Sequence, residues 1–418
     1  MRFSEEATAP AGGRPRVVVV NRFFHPDISA TSQILSDAAF GMAAAGFAVE
    51  VVTSRARYDR SETLPATEVV RGVVVWRVTT LSGRKSLVAR ALTFASFYVT
   101  AAARLWRVLR PGDVLVIKTD PPLFMVLASL LAGRKGARTV NWLQDLYPEV
   151  AAELGVSLAR GWTGRLLTRL RNNALRNAAA NVAIGHRMAE RLLSADVPPG
   201  HIRVIPNWSD DEAVTPLPQS EDLRCAWGLS GRFVIGYSGN LGRAHEIATV
   251  LAAAQLYRDD DTVRFLFVGG GDLRRSLETE VARLRLANVV WQPYQARERL
   301  SKALAVPDVH WLTLAPELEG LIVPSKVYGI MAAGRPFIFV GDRNGEVAMM
   351  AKRYDCGQVV SPKDAAGFVA AVERLRADPF ERERQGRNGR AAIDSELSRA
   401  RLIASWSTLI REISTAST

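Results

Sequence analysis

Residues 317–336, ELEGLIVPSKVYGIMAAGRP, predict the place where a parallel sheet meets a ligand. The apolar run that precedes them, 309–314, is typical of a strand buried on both faces. Ser325 is a favoured N-cap residue and predicts a helix over 326–333, which Gly334 would end. A strand, a loop and a helix in this order predict an α/β fold.

The loop and the helix start in this stretch carry groups suited to an anion. Glu319 and Gly320 follow the strand, and a glycine lets a ligand approach the backbone closely. The helix start offers unpaired N–H groups, and Lys326 adds a full positive charge. Ligands of open α/β sheets bind at the carboxyl ends of the strands, so we predict a phosphate site here. On this pattern alone an ordinary capped helix is the alternative.

The length of 418 residues and the alternation of short apolar runs with helix-period stretches predict two domains built from βαβ units. Residues 207–218 are polar, non-periodic and bounded by prolines, which predicts an interdomain linker. The predicted organisation is a disordered leader over 1–16, an N-terminal Rossmann-like domain over 17–206, the linker, a C-terminal Rossmann-like domain over 219–395, and a helix over 396–418 that could cross back onto the first domain.

Cysteine usage and apolar runs indicate a cytoplasmic protein. Cys225 and Cys356 share no CxxC spacing, so we expect both to be reduced and buried. Residues 1–16 lack the apolar centre of a signal peptide, and no apolar run reaches the roughly 18 residues that a membrane span requires. No carboxylate cluster or His/Cys spacing indicates a metal site, and we expect no cofactor.

The net charge of +12 lies entirely in the first half of the chain. Residues 1–207 contain 27 Lys and Arg against 15 Asp and Glu, whereas the remainder contains 27 of each. Residues 84–110 and 160–191 concentrate the excess, and the first of these mixes basic with aromatic and aliphatic residues. This pattern favours a helix on an anionic membrane surface, with an ordinary solvated helix face as the alternative. No recognition helix, zinc spacing or RNP-like strand indicates nucleic acid.

Loops after predicted strands of the first half carry further candidates. The first βα loop, NRFFHPDISATS, holds His25 at the edge where ligands bind. KTDPP places Lys118 and Asp120 at a strand exit, where the carboxylate could also be a simple helix cap. QDLYPE places Asp145 among apolar neighbours, where a charge without a role would be costly. We therefore favour a site role for Asp145.

Two glycine-rich loops of the second half predict phosphate contacts. GNLGRAHE places glycines on both sides of Arg243, whose guanidinium can bind a phosphate through two hydrogen bonds. GGGD, which begins at Gly269, again lets a ligand approach the backbone. Glu346 opens a predicted helix and could serve as its dipole-favoured cap.

Six features in this order resemble the retaining family 4 glycosyltransferases, in particular the branch that makes bacterial surface polysaccharides of the colanic acid or O-antigen type. They are the first βα loop, QDLYPE, IPNW, GYSGNLGRAHE, FLFVGGGD and EGLIVPSKVYGIMAAGRP, and they span about residues 17–412. The resemblance implies the GT-B fold, in which two Rossmann-like αβα domains face each other across a cleft. It also implies metal-independent transfer of a hexosyl group, with retention, from a nucleotide-diphosphate sugar to a lipid-linked or other glycan acceptor.

The resemblance implies a role for each candidate. Arg243 and Lys326 would hold the diphosphate, Glu319 would grip the donor sugar, and Asp145 would lie on the acceptor side. The substrate-binding residues it implies are His25, Gly239, Asn240, Gly269, Gly270, Tyr294, Gly320, Leu321, Ile322, Ser325 and Glu346. The backbone N–H groups of Gly320 and Leu321 would assist Glu319. Glu346 and the GGGD loop would face the ribose.

The chain departs from the family pattern at two places. The second glutamate of the E-x7-E motif is replaced by Val327, or by Gly329 in the register of MAAG, and ISAT replaces the paired glycines of the first loop. The charges of Arg243 and Lys326 would nevertheless stabilise a departing diphosphate. In the front-face mechanism of the resembled family the leaving phosphate takes the proton of the acceptor, and a double displacement through a carboxylate is the alternative.

Two other functions fit the same frame. A nucleotide-sugar 2-epimerase would need histidines and carboxylates gathered around the sugar, whereas the five histidines here are scattered. A catalytically silent assembly protein that binds a polymer or a lipid could keep the fold without the chemistry. The missing second glutamate favours this silent protein, and the presence of Arg243, Glu319 and Lys326 favours the enzyme.

Overall fold

The computed structural model describes residues 14–27, 29–57, 63–81 and 87–415. Most of the predicted leader, and Arg84 and Lys85 of the first basic stretch, therefore lie outside the described residues. The remainder forms two α/β domains, each built on its own sheet.

The N-terminal domain contains, within the described residues, a sheet of eight strands in the order β3-β4-β2-β1-β5-β6-β7-β8. All neighbours pair in parallel except β3, which is antiparallel to β4. The strands are Arg16–Val20 (β1), Ala48–Ser54 (β2), Thr67–Val70 (β3), Val73–Val78 (β4), Val114–Lys118 (β5), Arg138–Leu143 (β6), Ala180–Ala183 (β7) and Ile202–Val204 (β8). The α-helices are Ala30–Ala44 (α1), Leu87–Val108 (α2), Phe124–Arg134 (α3), Glu149–Glu153 (α4), Gly161–Arg176 (α5) and His186–Leu193 (α6).

The C-terminal domain carries a six-stranded parallel sheet, in the order β11-β10-β9-β12-β13-β14, within the same described ranges. Its strands are Phe233–Asn240 (β9), Val263–Gly270 (β10), Val289–Gln292 (β11), Val309–Thr313 (β12), Phe337–Val340 (β13) and Gly357–Val360 (β14). The helices that follow the first domain are Glu221–Ala226 (α7), Ala248–Leu256 (α8), Arg274–Arg283 (α9), Leu300–Leu304 (α10), Lys326–Ala332 (α11), Glu346–Tyr354 (α12), Ala365–Ala377 (α13), Pro379–Ser395 (α14) and Arg399–Thr415 (α15).

Apolar runs form the buried strands of both sheets, as the sequence predicts. All five residues of β5 and all five of β12 are buried, because helices cover both faces of a parallel sheet. The antiparallel β3 has no counterpart in the predicted strands. It joins β4 through Arg71 and Gly72, both at positive φ, and its residues alternate between exposed and half-buried.

The last helix, α15, packs on the N-terminal domain. Ile403 lies against Gly41 of α1, where a Cβ on the glycine would be 2.4 Å from Cγ2 of the isoleucine. The ring centroid of Trp406 lies 4.3 Å from that of Trp142, a residue of β6. The C-terminus of the chain therefore holds the two domains together after the linker has separated them.

The predicted linker is anchored to α1, to α15 and, through Ser301 of α10, whose hydroxyl donates to the carbonyl oxygen of Ala213 at 2.7 Å, to the C-terminal domain. The indole of Trp208 donates to Asp37 of α1 at 3.1 Å, and Arg399 of α15 binds Asp210 at 3.1 Å. These contacts limit how far the domains can turn about residues 207–218.

One cysteine differs from the prediction. Cys356 is buried, but Cys225 is exposed, and both are free thiols. The short helix α7 buries Arg224 instead, whose guanidinium binds Asp308 at 2.7 Å and the carbonyl oxygen of Val306. Among the described helices none is long and apolar enough to cross a membrane.

Candidate active site

Glycines near the ends of the neighbouring strands β9 and β10 allow other groups to approach the backbone closely. A Cβ on Gly239, whose φ is +135°, would lie 2.4 Å from Cε of Lys326, so a glycine is needed for Lys326 to cross the end of β9. A Cβ on Gly269 would lie 2.2 Å from the carbonyl oxygen of Gly239. The sequence thus brings the first residue of α11 against the edge of the sheet where a ligand is expected.

The ammonium group of Lys326 faces a histidine and a tyrosine. Its Nζ lies 3.5 Å from Nε2 of His245 and 5.3 Å from the ring centroid of Tyr237. The hydroxyl of Tyr237 lies 2.9 Å from the same imidazole nitrogen and 2.7 Å from the carbonyl oxygen of Asn240. Nδ1 of His245 lies 3.1 Å from the nitrogen and 2.8 Å from the oxygen of Gly242, so either neutral tautomer finds partners.

Burial sets the charge states of Lys326 and His245. It lowers the pKa of Lys326 to about 8. Burial and then the neighbouring Lys326 charge lower the pKa of His245 to about 4. At pH 7 the imidazole is therefore neutral and the lysine is mostly charged. Within the described part of the chain no carboxylate contributes to the shift at Lys326, so an entering anion would be its counter-ion.

Arg243 lies on the turn between β9 and α8, three residues after Asn240. Its side chain is exposed, and Nη1 lies 3.4 Å from the carbonyl oxygen of Leu154 in the N-terminal domain. Arg243 thus belongs to the turn whose His245 ring lies against Lys326 of α11. Ser325 occupies the N-cap position but makes no capping hydrogen bond, and α11 has only seven residues. The positive charge at the start of α11 is therefore supplied mainly by the Lys326 side chain, and the short helix contributes less.

An aromatic ring covers the end of β10. A Cβ on Gly269 or Gly270 would lie 3.2 or 3.1 Å from ring carbons of Tyr294, which is 60% exposed. The Tyr294 hydroxyl reaches the side-chain oxygen of Asn240 at 3.5 Å. The ring and the glycines thus form a partly exposed surface next to Asn240.

Two buried carboxylates lie where α12 of the C-terminal domain meets α6 of the N-terminal domain. Oε1 of Glu319 accepts the backbone N–H of Glu346 at 2.9 Å, and Oε2 of Glu346 accepts the backbone N–H of Arg187 at 2.9 Å. Each carboxylate thus satisfies a helix start, and the second does so across the domain boundary. Burial raises the pKa of both groups.

The loop after Glu319 is pressed against the N-terminal domain. Gly320 has φ +75°, and a Cβ there would lie 3.0 Å from the carbonyl oxygen of Arg187. Arg191 donates to the carbonyl oxygen of Glu319 at 3.1 Å. Helix α6 therefore packs on the loop that the sequence assigns to the donor sugar.

The same loop touches the acceptor-side candidates. The N–H of Leu321 donates to the carbonyl oxygen of Leu318 at 3.0 Å, and the carbonyl of Leu321 accepts the N–H of Leu146 at 2.9 Å. Ile322 forms an isolated backbone bridge with Asp145. The structure thus brings Asp145 to the Glu319 loop. The Leu321 N–H, which the resemblance assigns to the donor sugar, is instead hydrogen-bonded within that loop.

A buried lysine lies behind Asp145. Lys118 is 1% exposed, and its Nζ donates to the carbonyl oxygen of Thr31 at 2.8 Å and lies 4.2 Å from the ring of Trp142. Burial lowers the pKa of Lys118 to about 7, although Asp145 and Asp120 oppose the shift. Burial and then the charge of Asp120 raise the pKa of Asp145 to about 6.

His25 occupies a different part of the cleft. It lines a polar cavity of about 650 Å³ between α1, the linker and Arg297 of the C-terminal domain. Its ring contacts Phe40 edge-on, its carbonyl oxygen accepts from Arg77, and burial lowers its pKa. Asp145 is not among the residues that line this cavity, so the two acceptor-side candidates occupy separate surroundings.

Comparison with known proteins identifies the family of this two-domain molecule. Residues 30–208 match the glycosyl transferase 4-like domain, and residues 220–392 match the glycosyl transferases group 1 domain. The chain belongs to the family 4 glycosyltransferases. Between them the two domains of this glycosyltransferase include every candidate residue except His25.

Two proteins are similar to this glycosyltransferase over most of its length. The probable glycosyltransferase WbjE of Pseudomonas aeruginosa is 29% identical over 306 residues, which are 70% of this chain and 74% of WbjE. The putative colanic acid biosynthesis glycosyl transferase WcaI of Escherichia coli K12 is 26% identical over 380 residues, which are 86% of this chain and 91% of WcaI.

Solved structures show the same fold. The sucrose-phosphate synthase of Thermosynechococcus elongatus superimposes with a TM-score of 0.75 at 19% identity, over 97% of this chain and 100% of the synthase. HepE of Anabaena, solved with UDP-glucose, superimposes with a TM-score of 0.70 at 15% identity, over 96% of this chain and 99% of HepE. The glycosyltransferase therefore has the GT-B architecture that its motifs predict.

Sequence reasoning missed His245 and Tyr237. Both lie in the motif GYSGNLGRAHE, but a single loop histidine carries no partner in the sequence. The signal was available in the spacing, because Tyr237 lies in the last half of β9 and His245 shortly precedes α8, so both are close to the loop between them. The role of Arg187 was also missed, since its contact with Glu346 depends on how the two domains meet.

Proposed function

We propose that this glycosyltransferase transfers a hexosyl group, with retention of configuration, from a nucleotide-diphosphate sugar to a lipid-linked glycan acceptor in cell-surface polysaccharide synthesis. The observation that supports it most is the contact of Lys326 with His245 across Gly239 at the carboxyl end of β9. HepE, solved with UDP-glucose, shares the fold, and the name of WcaI refers to colanic acid biosynthesis.

Lys326 and Arg243 would stabilise the departing diphosphate. The bond between the anomeric carbon and the phosphate oxygen breaks, and negative charge grows on that oxygen. Lys326 is poised to receive it because its ammonium group is already desolvated and has a neutral imidazole as neighbour. The exposed Arg243, on the turn that carries His245, would supply the second positive charge. These charges are the basis for proposing transfer without a metal ion.

Tyr294 and the neighbouring glycines would hold the nucleotide base. The exposed ring beside Gly269 and Gly270 offers a stacking surface, and the glycines let that ring lie close to the strand end. The side chain of Asn240, 3.5 Å from the Tyr294 hydroxyl, lies between this surface and the Lys326 group.

Glu319 and Asp145 would position the reactants. Glu319 is held by the Glu346 N–H and fixes the donor sugar, while Asp145 on the facing loop orients the acceptor hydroxyl. The new bond forms from that hydroxyl oxygen to the anomeric carbon on the face the diphosphate leaves, and the leaving phosphate oxygen takes the proton. Glu346 would serve this arrangement by closing the two domains rather than by contacting the ribose directly.

The acceptor side would face the inner surface of the plasma membrane. The N-terminal half carries the whole net charge of +12, and α2 mixes aromatic, aliphatic and basic residues. We propose a cytoplasmic enzyme that associates peripherally with anionic lipid.

Release of nucleotide diphosphate tests this function. The purified chain is given a panel of nucleotide sugars with membrane extract as acceptor, and the radiolabelled sugar is followed into the organic-soluble fraction. We expect one sugar to be transferred with stoichiometric release of its nucleotide diphosphate, and Lys326→Met to lower both by at least tenfold. Binding without release would indicate a silent assembly protein, and conversion to the 2-epimer would indicate an epimerase. Either result would overturn the proposal.

A further inference from the structure

An apolar groove opens on the surface of the N-terminal domain. We call it the α2–α5 groove, and it has a volume of about 580 Å³. Its walls include Phe94 and Tyr98 of α2, Tyr147, and Val156 and Leu158 before α5. Among the described residues that line it none is charged, and the hydroxyl of Tyr98 donates to the carbonyl oxygen of Pro122. The groove is therefore suited to a hydrocarbon chain.

Two rows of exposed apolar side chains lie on α2 and α5, the helices that contribute residues to this groove. Leu92, Val99 and Trp106 recur every seven residues along α2, and Trp162 and Leu166 stand one turn apart on α5. Val99 and Trp162 are each 70% exposed, and Leu158 at the groove itself is 71% exposed. Patches of this kind on a water-exposed surface indicate a membrane or a partner.

Positive charge surrounds the same surface. Helix α5 and the residue before it contain five arginines and no acid over 160–176, and Arg165 and Arg169 are exposed beside the apolar row. Apolar side chains flanked by arginines are the composition that inserts into the interface of an anionic bilayer. Charge complementarity therefore favours anionic lipid over an apolar protein as the occupant.

The inner end of the groove meets the acceptor side of the cleft. The guanidinium of Arg22 lies 4.8 Å from the ring of Phe94 in the groove wall, and its Nε lies 3.3 Å from Asp120 in the cleft. Tyr147, which also lines the groove, follows Asp145 by two residues. A chain lying in the groove would thus deliver its polar end to Arg22 and Asp145.

We infer that the α2–α5 groove binds the hydrocarbon chain of a phosphate-linked lipid acceptor, drawn from an anionic bilayer, and delivers its headgroup to the acceptor side of the cleft. This rests on the proposed function, because it names the acceptor subsite of that reaction. It adds that part of the lipid leaves the bilayer and lies on the protein, beside the apolar rows that hold the domain to the membrane.

Alkyl phosphates of increasing chain length test the groove. Binding of butyl, octyl and dodecyl phosphate to the full chain is measured by calorimetry below the micelle concentration. We expect affinity to rise by a factor of up to about four for each methylene buried, until the groove is filled. Affinity that does not change with chain length would overturn the inference.

Two groove variants and a control locate the binding. Ala95→Trp places an indole in the groove from an exposed position, and Leu158→Glu places a charge at its rim, whereas Ala282→Trp adds an indole at an exposed position on α9. We expect dodecyl phosphate binding to be at least tenfold weaker in both groove variants. The control should bind dodecyl phosphate as tightly as the wild type. Unchanged binding in Leu158→Glu and in folded Ala95→Trp would overturn the inference.

Nucleotide-sugar binding and self-association separate the remaining outcomes. Both groove variants should bind the donor sugar like the wild type, and their transfer to the lipid acceptor in phosphatidylglycerol–phosphatidylcholine vesicles should fall. If the wild-type protein binds no nucleotide sugar, the proposed function is contradicted, whereas the alkyl phosphate result still stands. A dimer in sedimentation that Leu158→Glu disrupts would mean that a second copy covers the groove, which would overturn the inference.

Discussion

Nζ of Lys326 lies 3.5 Å from Nε2 of His245, and that imidazole nitrogen lies 2.9 Å from the hydroxyl of Tyr237. The lysine is thus held by a neutral ring rather than by a carboxylate. An ion pair would have neutralised the charge before a substrate arrived. A neutral neighbour instead fixes the ammonium group and leaves its charge for a diphosphate.

Donor affinity should fall at alkaline pH because the pKa of Lys326 in the free protein is about 8. Below that value the ammonium ion is present and attracts the diphosphate. Above it the free protein loses the charge, and Kd should rise by up to tenfold per pH unit. Titration calorimetry with the nucleotide sugar between neutral pH and mildly alkaline pH measures this. Lys326→Arg should bind with little pH dependence, and a Kd in the wild type that is flat across this range would contradict the assignment.

His245 should act as a positioning residue for Lys326. Replacing it by Phe keeps the ring but removes the nitrogen that faces Nζ, so the lysine gains freedom. We expect KM for the donor to rise several-fold, and His245→Gln, which retains a polar group, to recover part of the loss. Tyr237→Phe removes the hydroxyl on the other side of the imidazole and should have a smaller effect. A His245→Phe enzyme with wild-type KM and an unchanged pH profile would show that the histidine is only structural.

Asp145 should give the acid limb of the pH profile. Burial raises its pKa to about 6, so its carboxylate is ionised at neutral pH and protonated below that value. If the carboxylate orients the acceptor hydroxyl, kcat/KM for the acceptor should fall about tenfold per pH unit below pH 6. Asp145→Asn should be slow at every pH and show no such limb. An acid limb that persists in Asp145→Asn would assign it to another group.

Glu346 should stabilise the closed arrangement of the domains. Its carboxylate accepts the N–H of Arg187 at the start of α6, and the lost hydrogen bond leaves that N–H unpaired. Glu346→Ala should lower the free energy of unfolding by about 1–3 kcal/mol and enlarge the radius of gyration in solution scattering. Glu346→Gln keeps an acceptor oxygen and should lie between the two. Equal compactness in all three proteins would mean that this contact does not hold the domains.

Local patterns predicted the strand before Glu319, the helix at Lys326 and the glycine-rich turns, because each depends on residues close in the sequence. The strand β3 escaped prediction since half of its side chains face water and carry no continuous apolar run. Its pairing with β4 depends on the turn at Arg71 and Gly72, which both adopt positive φ.

Contacts between distant segments could not be predicted in the same way. Glu346 reaches Arg187 only because α15 and the linker set the domains against each other. The α2–α5 groove needs α2, the loop after β6 and α5 at once, which no local pattern encodes. The pairing of Lys326 with His245 likewise requires two loops of one sheet edge, and the sequence indicated only that both loops lie there.

Transfer by Lys326→Met and Arg243→Ala, measured beside the wild type with the donor sugar at saturation, tests the central claim most directly. Each change removes one charge-assisted hydrogen bond to the diphosphate, a loss of roughly 1.5–3 kcal/mol in the transition state. We expect at least tenfold lower kcat in each variant with an unchanged circular dichroism spectrum. Wild-type kcat in both folded variants would contradict the claim that these two residues stabilise the leaving group.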